Sequence, residues 1–234
     1  MIKRYQSNYS NEVHQLIVSP SKHFYVTGSG ELKYQKKPFE LKLSNIAQEK
    51  KTHTIHYLLR DHFSRLFYWE ICSSDTPLPI HDFLFRAWSK KTEHPLYGLP
   101  DYMTIPKNVQ SYYTGLLDFV EAIGISYLKV TSGFQGGVRD IRTIEDELRM
   151  VDFYLGDMKY QNSNPQFEDV SKIAAEICSR FIDISYNKPT KKEIWISGIA
   201  SDESMPVPKS YEAFKDAYLR TQQGKFSRSK KPRG

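Results

Sequence analysis

Apolar residues recur along this chain at two spacings, and the order in which the spacings alternate predicts a layered α/β architecture. From His23, HFYVTGSGEL reads as a strand that turns at Gly28-Ser29-Gly30, and KKPFELKLSNIAQEKK reads as a second strand with a polar connection. THTIHYLLRD and RLFYWEICSS, dense in aliphatic and aromatic residues, read as a hairpin of buried strands turning at His62-Phe63-Ser64. The period then changes. In PLPIHDFLFRAWSKK the apolar positions Ile80, Phe83, Leu84, Ala87 and Trp88 are three and four apart, which predicts a helix begun at Pro79 with one buried face.

A short strand, Tyr102 to Ile105, is ended by Pro106. SYYTGLLDFVEAIG predicts one helix stopped by Gly124, followed by the strand ISYLKV, the loop TSGFQGG, and a long charged helix from about Val138 to Leu155. FEDVSKIAAEICSRFIDISYN and KSYEAFKDAYLRTQ predict two more helices. Strands, then helix, strand, helix, strand and further helices imply an antiparallel meander joined to βαβ crossovers, a mixed sheet built on five of these strands with helices on its faces. The expected division is an N-terminal extension over 1–22, one domain over 23–221, and a tail over 222–234.

Composition narrows the class. With 39% hydrophobic and 26% charged residues in 234, the chain can bury a sizeable core. It has no apolar run long enough to span a bilayer and no secretory leader, so the cytoplasm is the default location. Two cysteines, Cys72 and Cys178, without metal or redox spacing, read as buried small hydrophobes. The net charge of +6 is concentrated: KFSRSKKPRG holds Lys225, Arg228, Lys230, Lys231 and Arg233 and no acid, leaving +1 for residues 1–224. The expected object is a near-neutral body with a basic tail that can meet phosphates without reading sequence.

Five stretches, in one order, resemble the integrase core of DDE transposases, in particular the phage Mu-like and retroviral-type group. LLRDHFSRLFYWEI is similar to that family's second-to-third-strand hairpin, HPLYGLPDYMTI to its approach to the fourth strand, and LLDFVEAIGISYLKV to the helix and strand that follow. GGVRDIRTIEDEL resembles its catalytic helix, and ISYNKPT a later Tyr-Asn-x-x-Pro segment. The resemblance covers roughly Phe24 to Leu219 and implies an RNase H-like fold. It also implies two divalent metal ions, usually Mg²⁺, held by three convergent carboxylates that activate a water or 3′-hydroxyl. On this resemblance the first aspartate position falls on Thr27, the second on Pro106 and the glutamate on Arg139, so the triad reads as lost. A guanidinium at the third position would repel a metal ion.

Two acids remain as fallback ligands, Asp61 and Asp140. A helical step of about 100° turns Asp140 away from the glutamate's direction, and Asp61 reads as a cap of the hairpin turn. Glu145, Asp146 and Glu147 read as a solvated helix face. His53 and His56 fall on opposite faces of one strand, which suits no shared metal centre. Gly136 and Gly137 with Arg139 are expected to serve as a residual contact for a DNA backbone. The expected function is a catalytically inactive integrase- or transposase-like protein acting through DNA or protein binding, without a cofactor, with a transposase-like or other subunit as partner and compatible with a homodimer. Two alternatives stand beside it: an interaction module of a larger complex, such as a defence system, and a metal-dependent nuclease or strand-transfer enzyme with displaced carboxylates. Few residues precede Phe24 or follow Leu219, so site-specific recognition is expected to come from a partner.

Overall fold

The protein is described from a computed structural model over residues 6–129, 136–149, 165–172, 174–183, 188–199 and 205–224. Its sheet is built on β1 (Val13–Val26), the longest strand, flanked by β3 (Thr52–Asp61) and β4 (Phe67–Ser73) on one side and by β5 (Tyr102–Thr104) and β6 (Ser126–Tyr127) on the other. The order is β4-β3-β1-β5-β6, with β3 antiparallel to β1 and β4 to β3, and with β5 parallel to β1 and β6 to β5. This is the RNase H-like arrangement the order of elements predicts. A sixth strand, β2 (Leu32–Tyr34), pairs with the far end of β1 and lies off the five-strand path.

β1 begins at Val13, not at His23, so much of the expected N-terminal extension is the centre of the sheet. Pro20 explains the shorter expectation, because a proline inside a run of strand residues reads as a break. The chain accommodates it at an irregularity: Pro20 lies opposite Ile55 and Tyr25 opposite His53, so β1 carries extra residues that β3 does not match. The Ser21 hydroxyl, fully buried, accepts the backbone N–H groups of His23 and Phe24 that the bulge leaves without ladder partners. The other corrections are local. KPFELKLSNIAQ contains a 3₁₀ turn, Leu43–Gln48, with Leu43 and Ile46 buried, in place of a strand. The single helix expected over SYYTGLLDFVEAIG is two, α2 (Lys107–Tyr112) and α3 (Leu116–Ala122), because Gly115 takes a φ of +75° that continues no right-handed helix.

Alternation along the strands sends side chains to two layers. Leu16, Val18, Ile55, Tyr57 and Leu59 face a core closed by α1 (Ile80–Trp88), α3 and the last helix, α8 (Tyr211–Gln222), through Phe83, Trp88, Phe119 and Phe214. Leu58, Phe67, Trp69 and Ile71 face the opposite core. It is closed by α4 (Gly136–Leu148), α5 (Phe167–Lys172) and α6 (Ala174–Asp183), which contribute Ile141, Ile144, Leu148, Val170 and Cys178. Cys72 and Cys178 are free and buried. α7 (Lys191–Gly198), capped by Thr190, buries Trp195 and ties down the start of the chain, where Ser10 donates through its hydroxyl to the Trp195 carbonyl. No helix among the described residues is long and apolar enough to cross a membrane. The expected extension of α4 toward Leu155, the segment ISYN and the basic tail lie outside the described residues.

Candidate functional site

The second layer of the sheet contains the site. Gln15, Ile17 and Ser19 lie on the α4 side of β1, opposite Arg60, Leu58 and His56 of β3. On the other side, Gln15 pairs with Thr104 of β5 in parallel register, so continuing the register puts Ile17 level with Pro106. The first turn of α4 crosses here: a Cβ on Gly137 would fall within 3 Å of the Ile17 side chain. Only a glycine lets the helix approach the strand so closely, which gives Gly137 a packing role and buries it. The centre of β1, the exit of β5 and the start of α4 thus converge on one cavity of about 1340 Å³.

Ile17, Pro106 and Val138 line this cavity, and from α4 so do Ile141, Arg142 and Glu145. Val138, Ile141, Arg142 and Glu145 form the i, i+3, i+4, i+7 stripe of one helix face. Arg139 lies off that stripe and does not line the cavity. Thr27 is also elsewhere: it follows the last residue of β1, and its hydroxyl joins Ser29 and accepts the Glu31 backbone N–H in the turn to β2. Of the three expected triad positions, only Pro106 stands at the convergence. Ile17 of β1 and Val138 of α4 line the cavity, whereas Thr27 and Arg139 do not. Sequence could have flagged the first through the apolar run ahead of Pro20; the second depends on where the helix starts.

The fallback acids are committed to other partners. Asp61, fully buried, accepts the backbone N–H of Asn11 at 2.9 Å and both the N–H and hydroxyl of Ser64 at 2.7 and 2.6 Å. That pattern holds the hairpin turn to the start of β1. Asp140 forms an ion pair with Arg60 (Nε to Oδ2, 2.7 Å). Burial raises the Asp140 carboxyl above its ordinary range while the Arg60 charge opposes the rise; burial likewise lowers the Arg60 guanidinium against the pull of Asp140. Gly136 lies against that guanidinium, so Gly136 and Gly137 both serve close packing.

Glu145 corrects the expectation of a solvated face, since its side chain is only 12% exposed. It accepts from the Ser21 hydroxyl (2.5 Å) and from His56 Nε2 (3.3 Å). The Trp69 indole N–H reaches His56 Nδ1 at 3.2 Å, which makes Nδ1 the acceptor and Nε2 the protonated nitrogen. Burial would raise the Glu145 carboxyl, but the hydrogen bonds from His56 and Ser21 outweigh it and hold the carboxyl below its ordinary range. The order Ser-Glu-His differs from a nucleophilic triad, in which the base touches the serine. This chain of bonds fastens α4 to the sheet. The nearby Cys178 and His94 (3.7 Å) form no catalytic pair either, because burial pushes the thiol up to about 12. Among the described residues, no three His, Cys, Asp or Glu side chains are placed to hold a metal ion.

The chemistry that does converge is a mostly apolar floor with charges around it. Lys22, Lys107, Lys129, Arg142 and Arg149 border the cavity, against the acids Glu145 and Asp146. All five cations are exposed, and Arg149 also covers the ring of Tyr34 at 4.7 Å. Ile17, Pro106 and Val138 offer no side-chain oxygen to a divalent ion, so the junction does not fit the metal pair of the DDE group. The sequence places its basic character most visibly in the tail, and this ring escapes notice there because its members are far apart in the chain and singly unremarkable.

No protein-family model and no curated protein matches this chain. Among solved structures, the chain is similar to one from a cryo-EM structure of the simian T-cell lymphotropic virus intasome in complex with PP2A regulatory subunit B56 gamma, at 12% identity and a TM-score of 0.48. The match covers 89% of this chain and spans 61% of the length of the other.

Proposed function

We propose that this protein is an integrase-like binding protein that holds DNA at the cavity between β1, β5 and α4 and performs no metal-dependent phosphoryl transfer there. One observation carries the reading: the junction presents an isoleucine, a proline and a valine ringed by Lys22, Lys107, Lys129, Arg142 and Arg149. Two metal ions bridging a phosphate need several carboxylate oxygens at that point, whereas a phosphate backbone needs cations. The protein acts in the cytoplasm as an accessory or regulatory subunit beside a protein partner that supplies catalysis and site recognition, and it uses no cofactor. The tail residues Lys225, Arg228, Lys230, Lys231 and Arg233 add affinity without specificity.

Titrating fluorescent duplex DNA over a series of salt concentrations tests this. Each cation withdrawn from a phosphate is expected to flatten the slope of log K against log salt by about 0.9, so Lys107→Gln with Lys129→Gln should reduce it by up to about two such steps. An unchanged slope and affinity in that variant would remove the cavity from the binding surface. Mg²⁺- or Mn²⁺-dependent cleavage or strand transfer by the purified protein, abolished by substitution of residues at the cavity, would overturn the nonenzymatic reading.

A further inference from the structure

The floor of the cavity contains a donor that no described residue answers. Gln15 is 3% exposed and lines the cavity. Its Oε1 accepts from Arg60 Nη1 at 3.0 Å. A guanidinium has donors only, so this bond fixes which end of the amide faces Arg60 and turns Nε2 away from it. Among the described residues Nε2 is buried without a partner. Such groups are few in folded proteins, and where one belongs to a residue that borders a cavity, a water or an occupant of the cavity supplies the acceptor.

The surroundings narrow that occupant. Thr104 stands in register beside Gln15, and Ile17, Val138 and Ile141 supply apolar walls. Tyr127 forms part of the side, its hydroxyl already accepting from Gln110 at 2.9 Å. A flat ring, apolar on its faces and with acceptor atoms on its edge, answers the floor and the walls; a phosphate answers the cations at the rim. A nucleotide unites the two.

We propose that the cavity seats one unpaired nucleotide of a DNA strand, its base edge accepting from Gln15 Nε2 and its phosphates lying along Lys107 and Lys129. The inference rests on the DNA-binding reading above and adds that the base must be out of the stack, because an edge paired within a duplex cannot reach a buried floor. A free mononucleotide carries the same chemistry but lacks the adjoining phosphates that the wide ring of cations can hold.

The test compares, with the full chain at one salt concentration, a blunt duplex, the same duplex with a short single-stranded overhang, and a mononucleotide as competitor. The overhang is expected to tighten binding about tenfold, the order one seated base contributes. Gln15→Glu keeps an acceptor for Arg60 but removes the Nε2 donors, so within that variant the ratio of overhang to blunt affinity should fall to about one whatever its overall affinity, with thermal melting to confirm the fold. A fluorescent purine analogue in the overhang should change its emission on binding the unsubstituted protein and not on binding Gln15→Glu. Equal affinity for blunt and overhang duplexes would overturn this inference and leave the DNA-binding reading standing. Binding to neither would overturn that reading itself. Displacement by the mononucleotide at concentrations matching the overhang duplex would overturn the strand in favour of a free nucleotide.

Discussion

Acidification from about pH 7 to about pH 4.5 is expected to remove several kcal/mol of stability, before most carboxylates titrate. His14, fully buried on β1, receives the Trp88 indole N–H on Nδ1 at 3.1 Å, and burial, with a smaller contribution from Lys91, pushes its pKa down to about 3. His94 is pushed down to about 4 by burial and by Lys91, against the opposing pull of its bond to the Phe67 carbonyl. The unfolded chain takes up these protons near the ordinary value of 6.5 and the native chain does not. Unfolded molecules therefore bind more protons throughout that interval, and stability falls with decreasing pH by about 1.4 kcal/mol per pH unit for each histidine. The loss begins below about pH 6.5 and levels off near 4 for His94 and near 3 for His14. Urea unfolding at a series of pH values measures it. In His14→Gln, whose amide oxygen can still accept from Trp88, the slope should drop by about one proton; a midpoint unchanged between about pH 7 and pH 4.5 would refute the assignment.

The second large effect is expected at Arg60. Arg60→Met strips Asp140 of its ion-pair partner and Gln15 Oε1 of its donor in one step, in a region where neither is readily reached by bulk water. The expected cost is about 3–5 kcal/mol, because an unpaired buried carboxylate is left behind. Asp140→Leu introduced into the same background should recover most of the loss, since removing both members of a buried pair is far cheaper than removing one. Lys191 lies near enough to Asp140 to lower its carboxyl pKa, so part of the charge is compensated and the lower end of the range is expected. A double variant whose loss equals the sum of the two single losses would show that the pair does not couple and that Arg60 acts through packing alone.

Much of the fold was legible in the chain. The apolar density of Thr52–Asp61 and Phe67–Ser73 is strong enough to identify a buried hairpin, and the three-and-four spacing of Ile80 to Trp88 identifies α1 to within a residue. Where reading failed, a local signal competed with a tertiary one. Pro20 marks a break in any strand read alone, yet β3 and β5 on either side pair with the residues before it, and Ser21 satisfies the donors of the bulge. The apolar residues of Lys42–Gln48 promised a strand, and the chain instead buries Leu43 and Ile46 in a single 3₁₀ turn.

The candidate site divides along the same line. Spacing along the chain was sufficient to establish a mixed sheet with helices on both faces and a glycine-broken approach to α4. Which residues meet at the centre was decided by the tertiary structure. The level of Ile17 against Pro106 is set by the parallel register of β1 with β5, and the choice of Val138 over Arg139 is set by how close Gly137 lets α4 come to the sheet. A register and a helix rotation are relations between segments distant in the chain; no local spacing encodes either, so the cation-ringed cavity and the Gln15 Nε2 that no described residue answers emerged only when the strands were paired.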